Sequence, residues 1–176
     1  MTSPFLAPDR VAPRLSHIVG SPIGRLLLTG DGHALTGLWM LDAERRPAGA
    51  QAGAVRSPET FRDVAAQLEA YFAGEAKEFT VPLAPSGTPF QLAVWTELTK
   101  IPYGSTATYG DIARAMGKRP VASRAVGLAN GANPISVIVP CHRVIGSDGS
   151  LTGYGGGLER KRLLLRLEGA GPVTLW

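Results

Sequence analysis

Asn133-Pro134-Ile135-Ser136-Val137-Ile138-Val139-Pro140-Cys141-His142-Arg143-Val144-Ile145 is the stretch on which the reading of this chain turns. Ile135 to Val139 is a short, β-branched apolar run, expected as a buried strand. Pro140 stops it, so Cys141 is expected just past the strand's end, where a side chain can be presented in a cleft. Cys141 is the only cysteine in 176 residues, which excludes an internal disulfide and a cysteine-built zinc site. A lone cysteine is most often a small inert core residue. Three features oppose that here. Cys141 is placed at a strand end, His142 and Arg143 follow it directly, and positive neighbours lower a thiol pKa. A loop holding Gly146, Gly149, Gly153, Gly155, Gly156 and Gly157 comes next, and glycine lets a ligand approach backbone closely.

Outward from this stretch the pattern is helical. Leu158 to Glu168 reads as the last helix, with Leu164 and Leu167 toward the core and Gly169 as its cap. Upstream, Thr108-Tyr109-Gly110-Asp111 has the capping-box spacing and opens a short helix through Met116. Gly117 to Arg119 makes a turn, and Pro120 starts a further helix running to about Ala129. Helix, tight turn, helix of this size is the helix-turn-helix pattern. Thr88-Pro89 opens an earlier helix with Phe90, Val94, Leu98 and Ile101 on one face, and Pro102 ends it.

The N-terminal part differs. Leu15 to Val19, Leu26 to Leu28 and Ala34 to Leu41 read as strands, with Gly30-Asp31-Gly32 as a hairpin turn. Residues 42–56 have no period and read as a surface loop. Ser57-Pro58 is expected to cap a helix whose Phe61, Val64, Leu68 and Phe72 share a face, closed by Gly74. Phe79 to Pro89, with three prolines, reads as a connection. The expected organisation is α+β: a small N-terminal domain over 1–80, a linker over 81–89, and a mostly helical C-terminal domain over 90–176 with the helix-turn-helix and Cys141. Met1 to Arg14, with Pro4, Pro8 and Pro13, is expected as a loose arm and not a signal peptide. No apolar run is long enough to span a membrane, and a cytoplasmic location is the expectation.

The net charge is +4 with a pI near 9.6. The basic excess lies in the C-terminal half, where Lys118 to Arg166 contains eight Lys and Arg against two acids. Such a surface suits a polyanionic partner. A thiolate suits attack on a saturated carbon, with a histidine taking the thiol proton and a carboxylate orienting the histidine. The spacing alone equally fits a cysteine hydrolase, and the helix-turn-helix alone fits a transcription regulator.

Pro140-Cys141-His142-Arg143-Val144-Ile145 resembles the active-site signature of the O(6)-alkylguanine-DNA alkyltransferases, also called methylated-DNA–protein-cysteine methyltransferases. The resemblance runs from about Phe90 through Gly169. It includes Phe90-Gln91-x-x-Val94-Trp95, Ile101-Pro102-Tyr103-Gly104, Thr108-Tyr109, Ser123-Arg124-Ala125-Val126-Gly127, Asn133-Pro134 and Tyr154-x-Gly156-Gly157-Leu158. It implies an RNase H-like N-terminal domain of antiparallel sheet plus helix. It also implies single-turnover transfer of an alkyl group from O(6)-alkylguanine in duplex DNA to Cys141 after base flipping, with O(4)-alkylthymine left open as a second substrate. His142 would deprotonate the thiol through a water and Glu168 would orient His142. Asn133 would bond at the junction before the strand, and Tyr109 would donate to the purine or turn its phosphate. Arg124 would fill the gap left in the base stack, with Ser123, Ala125 and Gly127 on the DNA side of the same helix in the minor groove. The Val144 carbonyl would read the exocyclic amine, while Tyr154, Gly155 and Gly156 would close over the base. No cofactor is implied. Some members bind zinc through cysteines this chain lacks, so no metal is expected. The expected solution state is a monomer, with assembly of several copies on DNA left open. A non-catalytic damage-recognition protein is the alternative, disfavoured because such relatives replace the cysteine that this chain keeps.

Overall fold

The structure, a computed structural model, describes residues 3–42, 49 and 51–170. The chain divides into two compact units, Met1–Ser86 and Gly87–Trp176.

The first unit is built on β1 (Leu15–Val19), β2 (Leu26–Gly30) and β3 (Leu35–Met40), which pair antiparallel in the order β3-β2-β1. Asp31 locks the β2–β3 turn, its Oδ1 accepting from the backbone N–H of His33 and Ala34. The whole of 42–56 was expected to be loop; of it, residues 43–48 and 50 lie outside the described residues. Val55–Arg56, however, forms β4, which pairs parallel with β1 at Leu15 and Ser16. Two residues carry no readable alternation; the neighbouring strand supplies the order. α1 (Arg62–Phe72) packs Val64, Leu68 and Tyr71 inward. Tyr71 takes the buried place expected of Phe72, because the stripe drifts by one residue over three turns. The expected Ser57 cap is absent: a 3-10 turn, Glu59–Phe61, leads into α1, and Ser57 Oγ bonds the Thr60 hydroxyl instead.

The proline-rich connection is not free chain. The Leu35 N–H donates to the Pro82 carbonyl and the Ala84 N–H to the Leu35 carbonyl, around a Leu35–Leu83 bridge, and Thr80 is held by Gln67 of α1. The expected loose arm is tied at two points: the Leu6 N–H donates to the Leu83 carbonyl, and the Asp9 N–H donates to Asp31.

The second unit contains α2 (Pro89–Leu98), β5 (Ala107–Thr108), α3 (Tyr109–Ala115), α4 (Ser123–Gly131), β6 (Val144–Ile145) and α5 (Leu158–Leu167). Thr88 caps α2 and Thr108 caps α3, each in a reciprocal capping box, with Gln91 and Asp111 respectively. A single 3-10 turn, Pro120–Ala122, precedes α4. Val94, Trp95, Leu98, Val126 and Ala129 build the core, and the Trp95 indole N–H donates to the Ala129 carbonyl at 2.8 Å. β5 and β6 pair parallel, which brings the start of α3 beside the chain just after Cys141.

The expected strand at 135–139 is a winding turn. The Val139 N–H bonds the Ile135 carbonyl, and Val137 has φ 71°, a left-handed conformation unusual for a β-branched residue. Ile135, Val137 and Val139 are nonetheless buried. Apolarity without alternation reports burial and not conformation, so the run misled at this point.

Candidate active site

Asn133 builds the approach to Cys141. Its Oδ1 accepts from the Ile135 N–H at 3.0 Å, and its Nδ2 donates to the Val139 carbonyl at 2.8 Å, folding 133–139 into a closed turn. Cys141 to Arg143 then form one 3-10 turn, which aims three successive side chains into the unit. α4 is joined to this turn by Asn130, whose Nδ2 donates to the Cys141 carbonyl at 3.4 Å.

Cys141 is buried, with 4% exposure. Burial pushes its thiol up, while Asn133's side chain and the charge of Lys161 pull in the opposite direction. The sequence pointed to His142 and Arg143 as the groups that lower it. Neither is free to do so. Arg143 Nε donates to Glu168 Oε2 at 2.8 Å, its Nη2 to Glu168 Oε1 at 3.0 Å and its Nη1 to the Ile101 carbonyl at 2.6 Å. Burial pushes His142 below its ordinary pKa, against the opposing pull of Glu168, and holds the ring neutral.

His142 is fully buried, and its Nε2 lies 2.8 Å from Glu168 Oε1. A carboxylate only accepts, so Nε2 carries the proton and Nδ1 keeps its lone pair. Nδ1 is buried and has no hydrogen-bond partner among the described residues. The ring therefore has one nitrogen oriented by an acid and the other able to accept a proton. Glu168 caps the C-terminal end of α5, held further by the Gly104 N–H at 3.3 Å. Gly104 has φ +75°, and a Cβ there would lie 2.9 Å from the Glu168 carbonyl oxygen, so this position needs glycine.

Of the expected residues, Cys141, His142, Glu168 and Asn133 meet in this buried cluster. Val144 follows on β6; its carbonyl accepts from Lys161 Nζ at 2.6 Å. Tyr109 opens α3, where its hydroxyl accepts from Thr152 Oγ1 at 3.2 Å and its ring lies against Gly127 of α4. Tyr154 and Gly155 are partly buried and Gly156 is buried, with its carbonyl held by Arg160 at 2.9 Å. Arg124 and Ala125 stand apart on the exposed face of α4, beside Val121 at 84% and Leu128 at 73% exposure. Ser123 Oγ is turned back onto the Pro120 carbonyl.

The sequence reading missed Arg143 as the partner of Glu168, Asn130, Gly104 and Lys161. Lys161 had a signal: it falls on the same helical stripe as Leu164, Leu165 and Glu168. Leu165, rather than the expected Leu167, fills that stripe beside Leu164. Among the described residues, no group of three or more His, Cys, Asp or Glu is arranged to hold a metal ion, and no helix is long and apolar enough to cross a membrane.

Both units of the chain have known relatives. Residues 15–85 match the family model for the 6-O-methylguanine DNA methyltransferase ribonuclease-like domain, and residues 89–170 match that for the 6-O-methylguanine DNA methyltransferase DNA binding domain. The methylated-DNA–protein-cysteine methyltransferase of Methanosarcina acetivorans is 54% identical over 153 residues, covering 87% of this chain and 97% of its own. The crystal structure of the Mycobacterium tuberculosis O6-methylguanine methyltransferase superposes with a TM-score of 0.83 at 52% identity, covering 89% of this chain and 93% of that one. The Mycobacterium tuberculosis OGT in complex with DNA gives 0.82 at 52% identity over 88% and 92%. With both units matched and relatives aligned along nearly their whole length, the chain belongs to the 6-O-methylguanine DNA methyltransferase family.

Proposed function

We propose that this protein reverses DNA alkylation damage directly, moving the alkyl group from the O(6) atom of guanine in duplex DNA to Sγ of Cys141. The observation that carries the reading is the buried Cys141-His142-Glu168 arrangement, in which Glu168 occupies Nε2 and leaves Nδ1 as the base.

In this mechanism His142 Nδ1 takes the thiol proton, through a water, and the thiolate attacks the alkyl carbon. The S–C bond forms, the C–O(6) bond breaks and its electron pair stays on the purine. The proton returns to the purine, with the Tyr109 hydroxyl as the nearby donor. The product is a neutral thioether that water does not readily cleave, so each molecule acts once. The alkyl donor is the DNA itself, and the step needs no cofactor.

The target atom is out of reach inside a duplex, so the nucleotide must rotate out of the stack. The exposed face of α4 supports Arg124 as the group that fills the gap, with Ser123, Ala125 and Gly127 along the minor groove. The Val144 carbonyl has a second lone pair beyond the one Lys161 uses, and it reads the exocyclic amine. Gly155 donates its N–H to the purine O(6), while Tyr154 and Gly156 close over the base. Residues 90–176 do this work, 1–80 support it and 81–89 connect them. The site of action is the cytoplasm.

The test counts lesions. A duplex carrying one O(6)-methylguanine is incubated with increasing protein, and restored guanine is measured. The expected plateau is one lesion per protein molecule, with Cys141→Ser binding the duplex and restoring none. Many lesions per molecule would overturn the reading in favour of hydrolysis; tight binding without restoration would make the protein a recognition module.

A further inference from the structure

α5 carries a cation on its buried face. Lys161 lies one turn before Leu164 and Leu165 and two before Glu168. It is fully buried. Its Nζ donates to the Val144 carbonyl at 2.6 Å and to the Thr152 carbonyl at 2.7 Å. Among the described residues no carboxylate lies within ion-pair distance of it, and Glu168 is already taken by Arg143 and His142. An ammonium removed from water without a counter-charge is expensive, and burial pushes this one down to about 8, countered only by Cys141.

The other ionisable groups acting at this place are His142, Arg143 and Glu168. Arg143 and Glu168 neutralise each other in a two-pronged ion pair, and His142 is held neutral. Among the described residues the thiolate of Cys141 is therefore the one anion left to balance Lys161.

We propose that Lys161 is a positioning residue for the alkyl transfer: its ammonium is the counter-charge of the Cys141 thiolate. Its two donated hydrogen bonds also tie the Thr152 segment of the glycine-rich loop to Val144, the residue after the catalytic turn. The proposal rests on the alkyl-transfer reading for its consequence, but the charge coupling is measurable without it. A hydrogen-bonded lysine serving the fold alone would do as well with any buried donor. A lysine serving the thiolate must move the sulfur's titration.

The experiment exploits the single cysteine, whose thiolate absorbance in the ultraviolet, read against Cys141→Ala, reports one residue. Lys161→Met is expected to shift the Cys141 titration upward by about one unit. It should slow reaction with free O(6)-benzylguanine at neutral pH about tenfold, with recovery toward wild type at alkaline pH. Lys161→Arg should keep the wild-type titration. From the other side, Cys141→Ala should lower the Lys161 titration followed by nitrogen-15 NMR, a measurement that stands even if Lys161→Met does not fold. An unmoved Lys161 titration in Cys141→Ala, or an equal rate loss at every pH in Lys161→Met, overturns the proposal. A wild-type protein that shows the coupling yet never reacts with O(6)-benzylguanine overturns the alkyl-transfer reading and leaves the charge pair standing.

Discussion

Glu168 serves two residues at once, orienting His142 and balancing Arg143, and both roles rest on its charge. Glu168→Gln leaves a buried guanidinium without its anion, which costs about 3–5 kcal/mol. The expected outcome is a large drop in the urea midpoint together with slower alkyl transfer; unchanged stability would mean that Arg143 is balanced elsewhere. His142 gives a pH signature. Its folded pKa lies below its free value, so the unfolded chain binds the proton more readily, and stability rises with pH wherever that difference is titrating. The stability is present above roughly pH 6.5 and is lost as the pH falls below it. Urea midpoints measured from pH 7.5 to 5.5 (about where carboxylates still remain ionised) should fall on acidification, and His142→Asn should flatten the slope. At this scale the sequence named Cys141, His142, Glu168 and Asn133, residues whose types carry the chemistry. It did not name Arg143 or Lys161 in their observed roles. A cation in a helix reads as solvated by default, and the place of Lys161 on the buried stripe of α5 was the sign that this one had been taken from water.

Helices declared themselves through their ends. Thr88 with Gln91 and Thr108 with Asp111 are readable as capping boxes, and both are formed. Thr108→Ala removes one of them and is expected to lower stability by about 1 kcal/mol, seen as a fall in Tm. Strands were legible where alternation or a turn signal flanked them, as from Leu15 to Met40. The two-residue β4 and the Leu83 bridge were not, since tertiary pairing alone creates them. Ile135 to Val139 was misread because a buried turn and a buried strand share one composition. α4 presents Arg124 away from its core face of Val126, Ala129 and Asn130. Arg124→Ala is thus expected to slow repair of duplex DNA far more than reaction with a free alkylguanine base, since only the duplex requires extrusion. Equal losses on both substrates would remove the wedge role.

For the whole molecule, the basic C-terminal half makes binding electrostatic. Affinity for duplex DNA should fall linearly on a log–log plot as salt rises, because each neutralised phosphate releases a counterion; a flat response would contradict a phosphate-tracking surface. The fold class was legible because the two halves differ in period, one alternating and one helical. The burial of the thiol was not: read as lying just past a strand's end, Cys141 was expected in a cleft, and the turn that replaces the strand encloses it instead. In the proposed chemistry this enclosed sulfur keeps the group it removes. Intact-mass measurement with peptide mapping, after incubation with a duplex containing one O(6)-methylguanine, tests that most directly. The expected result is the gain of one methyl group per chain, confined to the peptide holding Cys141 and absent in Cys141→Ser. Restored guanine in the DNA with no change in protein mass would contradict it.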